Sequence, residues 1–324
     1  IGKGVRYVYA QLPGETEIDF DSFFTDELGI GVGNAGQGIN DGSYTFLLQA
    51  GNSNAQGIWG SYYGVVNRLN RILNRIDQMM LEPGVDTAAL NNHKAHAYAL
   101  RAYCHYKLFA FFTPDYTNPN GLSVIKFDFL QTDDYSRFEK RSTVAEIVAF
   151  IESDIQKVRD LGGVQQSELG SGSGFASNEM VESILIKMYS MLQTPDAYTK
   201  LETAFDNLAA TKSLADVGTY LSMFGESASA ADSNEGIFKL NRVSTQGTVQ
   251  SGVASSWYPA EVGDAPYMEM GRSLYNELDK LDPSQQGKPL HDFQLNSDGS
   301  LALDRTTGKP IIINTYTRNE ARYV

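Results

Sequence analysis

Residues 57–80 read GIWGSYYGVVNRLNRILNRIDQMM, and residues 91–112 read NNHKAHAYALRAYCHYKLFAFF. The first segment carries apolar residues at steps of three and four from Trp59 to Met80, which is the spacing of one face of an α-helix. The second segment has small residues first and aromatic residues at its end, and small residues let another helix pack closely. We therefore predict two long amphipathic helices that form an antiparallel hairpin.

The joint between the two segments, residues 81–90, reads LEPGVDTAAL. Pro83 ends the first helix because proline supplies no amide hydrogen, and Gly84 accepts the turn that follows. Asp86 or Thr87 can then cap the second helix. The joint is short, so the two helices are neighbours in space.

Further helical patterns follow the hairpin. Thr143 and Glu146 form a capping-box pattern before a third amphipathic segment, and Pro195 separates a fourth segment from a fifth. The last two together have about the length of a tetratricopeptide unit. The sequence predicts a mostly α fold, a tetratricopeptide-like helical-hairpin scaffold over 57–211 with long loop-rich, partly β insertions at 29–56 and 225–313. We expect residues 1–324 to form a single domain.

Composition excludes several classes of protein. The net charge of −13 would repel a phosphate backbone, and no Lys/Arg-rich run offers a local exception, so we predict no nucleic-acid partner. No run of eighteen apolar residues exists, so no transmembrane helix is predicted. The single Cys104 cannot form an intrachain disulfide and is expected to be a buried apolar side chain.

A search for catalytic or metal-binding motifs returns little. Residues 31–36 satisfy a glycine-rich dinucleotide pattern, but no apolar strand precedes them and no amphipathic helix follows. His93 and His96 are three apart on the second helix, whereas His105 lies about half a turn away from His96. We predict a protein that is not an enzyme, with no catalytic residue, no metal ligand and no cofactor.

Five ordered segments resemble one known family. The hairpin carries two of them, Leu69-Asn70-Arg71-Ile72-Leu73 on its first helix and Ala97-Tyr98-Ala99-Leu100-Arg101-Ala102-Tyr103 on its second. The other three are Thr25-Asp26-Glu27, Arg141-Ser142-Thr143-Val144-Ala145-Glu146-Ile147 and Asn234-Glu235-Gly236-Ile237-Phe238. Together they resemble the SusD/RagB family of nutrient-binding outer-membrane lipoproteins of Bacteroidota.

The chain also departs from the pattern of that family. His96 and Tyr98 stand where the family commonly has glutamate and arginine, and the chain is shorter than typical members. The family's usual C-terminal helices are largely absent from it. A lipid-attachment cysteine is expected upstream of Ile1, outside this chain.

The resemblance implies a surface-exposed lipoprotein of the outer membrane that captures oligosaccharides or other nutrients. It implies delivery of the ligand to a SusC-like TonB-dependent transporter, membrane attachment only through an N-terminal lipid anchor outside this chain, and no catalysis. The alternative is a helical-repeat protein-interaction scaffold without sugar binding. A glycan array discriminates the two, because only the first class binds sugars.

Sugar-binding residues are expected in the irregular segments rather than on the helices. Sugar rings present apolar C–H faces to aromatic side chains and hydroxyl groups to amides. Trp257, Tyr258 and Tyr267 lie off any helical stripe in a Ser/Gly/Pro-rich stretch, and Tyr44 with Asn54 lies in the glycine-rich one. These five residues are the predicted ligand site. Trp59 lies on the helical stripe and is predicted to pack in the core.

Overall fold

A computed structural model describes residues 1–13, 15–25, 28–30, 44–49, 51–131, 138–166, 169–170, 172–216, 219, 235–239, 268–271, 274, 290–294, 296, 302–306, 309 and 311–316. The chain divides into two compact units. Unit 1 comprises Ile1–Pro13 and Ile58–Asn241, and unit 2 comprises Gly14–Gly57 and Arg242–Val324. The predicted single domain over 1–324 stays a prediction.

Seven helices account for most of the described structure. Their bounds are α1 Gly2–Ala10, α2 Glu15–Phe23, α3 Ser53–Met79, α4 Thr87–Phe112, α5 Val144–Asp160, α6 Asn178–Leu192 and α7 Pro195–Ala209. The prediction of a mostly α fold is confirmed. None of the helices in the described part of the chain has the length and hydropathy needed to cross a membrane.

Helices α3 and α4 form the predicted antiparallel hairpin. Their side chains meet along its length, from the ring of Trp59 against Phe112 (5.0 Å between centroids) to the Lys94–Asp77 ion pair (2.7 Å). Gly84 has a φ of +79°, which glycine adopts without steric cost. Asp86 caps α4 by accepting a hydrogen bond from the Ala88 amide at 2.9 Å, as predicted.

Helix α4 is the central helix of unit 1. It packs against α5 and also contacts α1 and α6, and its small residues Ala95, Ala99 and Ala102 are fully buried. The sequence predicts an amphipathic helix here, but the structure buries α4 on nearly all sides. Its polar residues Asn92, His96, Arg101 and His105 are buried too, because partners on other segments satisfy them.

Helices α5 to α7 complete the helical scaffold. The capping box of Thr143 and Glu146 is present at the start of α5. Helices α6 and α7 form a second hairpin: Gln193 ends α6 in a left-handed conformation, Thr194 caps α7 and Pro195 occupies its first turn. Proline suits that position because its missing amide hydrogen has no partner there anyway. The two helical hairpins, α3–α4 and α6–α7, with α5 between them, make the scaffold tetratricopeptide-like.

Unit 2 contains helix α2 and two pairs of antiparallel strands. Strand β1 (Leu28–Ile30) pairs with β2 (Met268–Met270), and β3 (Leu290–Phe293) pairs with β4 (Ile312–Tyr316). The first pair joins the two predicted insertions, since Ile30 is opposite Met268 in the register. The partly β character of these insertions is confirmed.

Residues 235–239 include an apolar run but do not form a strand within the described part of the chain. The backbone of this segment meets a loop of unit 1, because the Lys239 amide donates a hydrogen bond to the Ser173 carbonyl at 2.9 Å. An apolar run forms a strand only when a neighbouring strand satisfies its backbone, and here a loop takes that place.

Candidate functional site

A buried polar cluster joins three helices of unit 1. The Arg101 guanidinium donates two hydrogen bonds to the Asp154 carboxylate, each 2.7 Å long, and a third to Asn70 Oδ1, also 2.7 Å. The side chain of Asp154 has no exposure and that of Arg101 only 6%. Such a bidentate pair fixes both side chains in one geometry. We call Asn70, Arg101 and Asp154 the polar hub.

The polar hub also holds the segment that follows α4. The Asn70 Nδ2 donates to the carbonyls of Phe127 and Phe129, both at 3.0 Å. His105 adds a third link, because its Nε2 accepts from the Phe127 amide at 3.2 Å while its Nδ1 donates to the Arg101 carbonyl at 2.9 Å. These bonds require a neutral imidazole with its proton on Nδ1.

The surroundings of His105 favour its neutral form. Burial lowers the pKa of the imidazole from its ordinary 6.5 to about 4, and the hydrogen bond to the Arg101 carbonyl opposes this only in part. An imidazole protonated on both nitrogens cannot accept a hydrogen bond from the Phe127 amide. Protonation of His105 would therefore break this hydrogen bond between α4 and the segment that follows it.

A cavity of about 400 Å³ opens beside the polar hub. The hub residues Asn70 and Arg101 form part of its wall, and Tyr98 and Lys157 add polar groups from α4 and α5. Phe129 and Leu130 form an apolar wall from the segment held by Asn70. This size is at the small end of the range for ligand pockets in proteins.

The charged groups around the cavity are paired. Asp77 bonds to Lys94 at 2.7 Å, Asp128 lies 3.3 Å from Lys126, and Lys157 contacts the Asp154 carboxylate at 3.0 Å. The cavity therefore carries both signs of charge in balance and favours a neutral ligand over an ion.

The two departures from the family pattern on α4 each have a structural role. His96 is fully buried; its Nδ1 accepts from the Tyr9 hydroxyl at 2.7 Å, and its Nε2 donates to the Gln165 carbonyl at 3.1 Å. The Tyr9 hydroxyl in turn accepts from the Ala176 amide at 3.0 Å. These hydrogen bonds connect α1 and the loops around residues 165 and 176 to α4. The second departure, Tyr98, lines the cavity.

The predicted sugar-binding residues all fall within the sequence ranges of unit 2. Tyr44 and Asn54 are half-buried, and Asn54 lies in the first turn of α3. Trp257, Tyr258 and Tyr267 lie outside the described residues, so the prediction for these three stays a prediction.

Trp59 packs against other aromatic side chains, as expected. It is half-buried, with ring centroids 4.8 Å from Tyr63 and 5.0 Å from Phe112. Cys104 is buried, also as expected. Across the described ranges, no group of three His, Cys, Asp or Glu side chains is placed to hold a metal ion.

Sequence reasoning missed the cavity. Asn70 and Arg101 stood out in the sequence only as parts of a pattern, and Asp154, 53 residues beyond Arg101, did not stand out at all. The sequence contains one signal of the polar hub, which is a polar residue beside the apolar stripe of each helix. A buried polar group requires a partner, so such residues indicate contacts between helices.

Comparisons with known proteins agree with this architecture. Residues 2–162 match the family SusD-like_3, described as starch-binding and associating with the outer membrane. A comparison with proteins of curated function gives no match.

Solved structures of Bacteroides proteins share the fold. A SusD superfamily protein from Bacteroides thetaiotaomicron is 18% identical with a TM-score of 0.68, over 86% of this chain and 61% of that one. A putative sugar-binding protein from Bacteroides vulgatus is 20% identical with a TM-score of 0.66, over 86% and 61%. A SusD superfamily protein from the same species is 18% identical with a TM-score of 0.66, over 98% and 67%.

The chain thus spans about 61% of the length of the first of these structures. Two helical hairpins with α5 between them, together with strand pairs in a separate compact unit, define a protein of the SusD-like helical class. The match of residues 2–162 assigns the chain to the SusD/RagB family.

Proposed function

We propose that this protein binds oligosaccharides at the outer membrane, without chemical conversion, and delivers them to a SusC-like TonB-dependent transporter. The observation that carries the proposal is the match of residues 2–162 to a family described as starch-binding and associating with the outer membrane. The fold it shares with a putative sugar-binding protein gives further support. A surface-exposed position and a lipid anchor outside this chain belong to the same proposal.

The proposed ligand site comprises Trp257, Tyr258, Tyr267, Tyr44 and Asn54. Support comes from the pairing of β1 with β2, which joins the two stretches that contain these residues in the sequence. Tyr267 directly precedes β2 in the chain. Aromatic rings with a neighbouring amide suit the C–H faces and hydroxyl groups of a sugar.

The two tryptophans provide a matched test. We expect Trp257→Ala to abolish binding of the best ligand from a glycan array, because a stacking platform is lost, while the midpoint of thermal unfolding stays nearly unchanged. We expect Trp59→Ala to do the opposite, because Trp59 packs on Phe112 and Tyr63. Calorimetric titration and thermal unfolding of both variants measure the two effects. Unchanged affinity in Trp257→Ala would contradict the assigned site.

The same array tests the class of protein. Binding to no glycan, together with capture of a protein partner, would favour a helical-repeat interaction scaffold instead. Delivery is tested by co-purification with a SusC-like TonB-dependent transporter from the same organism, and turnover of a chromogenic glycoside would contradict the proposed absence of catalysis.

A further inference from the structure

The cavity beside the polar hub has the chemical character of a ligand site in its own right. It lies entirely within unit 1, among residues of α3, α4, α5 and the segment after α4. None of the residues proposed above for sugar binding lines it. Its volume of about 400 Å³ is sufficient for a small organic ligand.

Two polar groups in the cavity wall can each form a further hydrogen bond, because no described residue bonds to them. Among the described residues, no side chain or backbone group bonds to the half-buried Tyr98 hydroxyl. Asn74 accepts from Gln78 through Oδ1 at 3.0 Å, and no described residue accepts from its Nδ2. A hydroxyl that can donate and accept and an amide that can donate, on two residues that line one cavity, match the hydroxyl groups of a sugar.

The remaining walls fit the same kind of ligand. Phe129 and Leu130 offer an apolar surface to C–H groups. The carboxylates of Asp77 and Asp128 each contact a lysine, so they can accept from hydroxyl groups while their charge is already balanced. An ionic ligand would find no unbalanced opposite charge here.

Hydrogen bonds and ring contacts within the protein hold several groups of the site in place. Asn70 holds the Phe129 carbonyl at 3.0 Å, and Arg101 holds Asn70 at 2.7 Å. The ring of Tyr98 lies under two cations, 4.9 Å from the Lys157 ammonium and 5.3 Å from the Arg101 guanidinium. Groups fixed in advance lose less conformational freedom when a ligand binds.

We infer that this cavity is a second binding site, which takes one neutral sugar ring through the Tyr98 hydroxyl, the Asn74 amide and the Phe129 wall. The inference uses residues of unit 1 alone and does not depend on the site proposed in unit 2. It gives the helical scaffold a binding role of its own.

The test uses the full chain and a panel of neutral monosaccharides: glucose, galactose, mannose, xylose and N-acetylglucosamine, each at millimolar concentration. Saturation-transfer NMR identifies the sugar that binds, and titration gives its Kd. Tyr98→Phe removes one oxygen and keeps the ring over which the cations lie. We expect it to raise the Kd about tenfold, the effect of one lost hydrogen bond. Tyr198→Phe, on the exposed surface of α7, is the matched control and should leave the Kd unchanged.

Trp257→Ala separates this inference from the proposed function. Binding that survives Trp257→Ala and weakens in Tyr98→Phe supports the cavity. Binding that is lost in Trp257→Ala and unchanged in Tyr98→Phe overturns the cavity while it supports the site in unit 2. The inference is also overturned if no sugar of the panel binds, or if neither variant changes the Kd.

Discussion

The ion pair of Arg101 and Asp154 is the residue-level centre of unit 1. Both side chains are almost completely buried, so their charges cancel each other rather than being screened by water. Lys157 contacts the same carboxylate from the solvent side at 3.0 Å. The pair connects α4 to α5, and through Asn70 it also reaches α3. The Asp154 carboxylate is therefore part of a hydrogen-bond network that connects three helices.

Asp154→Asn should destabilise the protein strongly. The substitution keeps the shape of the side chain but leaves the buried guanidinium without its counter-charge, which costs about 3 kcal/mol in the free energy of unfolding. Urea denaturation measures the change. Glu82→Gln is the control, because the Arg75–Glu82 pair is 3.8 Å long with both side chains 56% exposed, and it should cost less than about 1 kcal/mol. Equal effects of the two substitutions would contradict a structural role for the hub.

His105 should make the stability of the protein dependent on pH. Its pKa of about 4 in the folded protein lies below the 6.5 of the free imidazole, so the unfolded chain takes up a proton first as the pH falls. The stabilisation is complete above pH 6.5 and is lost as the pH falls towards 4. Between pH 7 and pH 5 this group alone should cost about 2 kcal/mol.

The measurement compares urea unfolding of the wild type and His105→Gln at pH 7 and at pH 5. Glutamine does not titrate, so the variant should be less stable at pH 7 but lose less stability on acidification. An identical loss in both proteins would show that other groups carry the pH dependence.

At the scale of the element, capping and periodicity decide where helices lie. Asp86 at the start of α4, Thr143 at the start of α5 and Pro195 in the first turn of α7 all act as their sequence context predicts. These signals work because they are local: each satisfies or removes a backbone amide within three residues of itself.

The capping box of α5 provides a test at this scale. Thr143 accepts from the Glu146 amide at 3.2 Å, and Glu146 accepts from the Thr143 amide at 2.7 Å. Thr143→Ala should lower the free energy of unfolding by about 1 kcal/mol, because an amide at the helix start loses its acceptor. Thr143→Ser keeps the hydroxyl group and should cost much less. Chemical denaturation of the two variants distinguishes loss of the cap from loss of the methyl group.

Periodicity was less informative about α4. The spacing of its apolar residues predicts one buried face, yet the structure also buries His96, Arg101 and His105. A polar residue becomes buried only when a partner satisfies it, and these partners come from α1, α3, α5 and the loops around residues 127 and 165. Such partners are distant in the sequence, so the pattern of one helix does not reveal them.

At the scale of the whole molecule, each compact unit brings together residues that are far apart in the chain. In unit 2, strand β1 pairs with β2 about 240 residues later. In unit 1, the cavity collects side chains from residue 70 to residue 157. With one sugar site proposed in the loops of unit 2 and one in the helices of unit 1, each unit would have a binding role of its own.

The sequence by itself determined the helical class, the α3–α4 hairpin, its caps and the family, because these depend on local spacing and on short ordered motifs. The sequence also showed Asn70 and Arg101 within the segments that resemble the family, but it did not show what either side chain does. Only the tertiary structure decided that these two meet Asp154, that α4 is central, and that a cavity opens beside them. The physical reason is that hydrogen bonds and ion pairs between distant segments depend on chain geometry, which local periodicity does not contain.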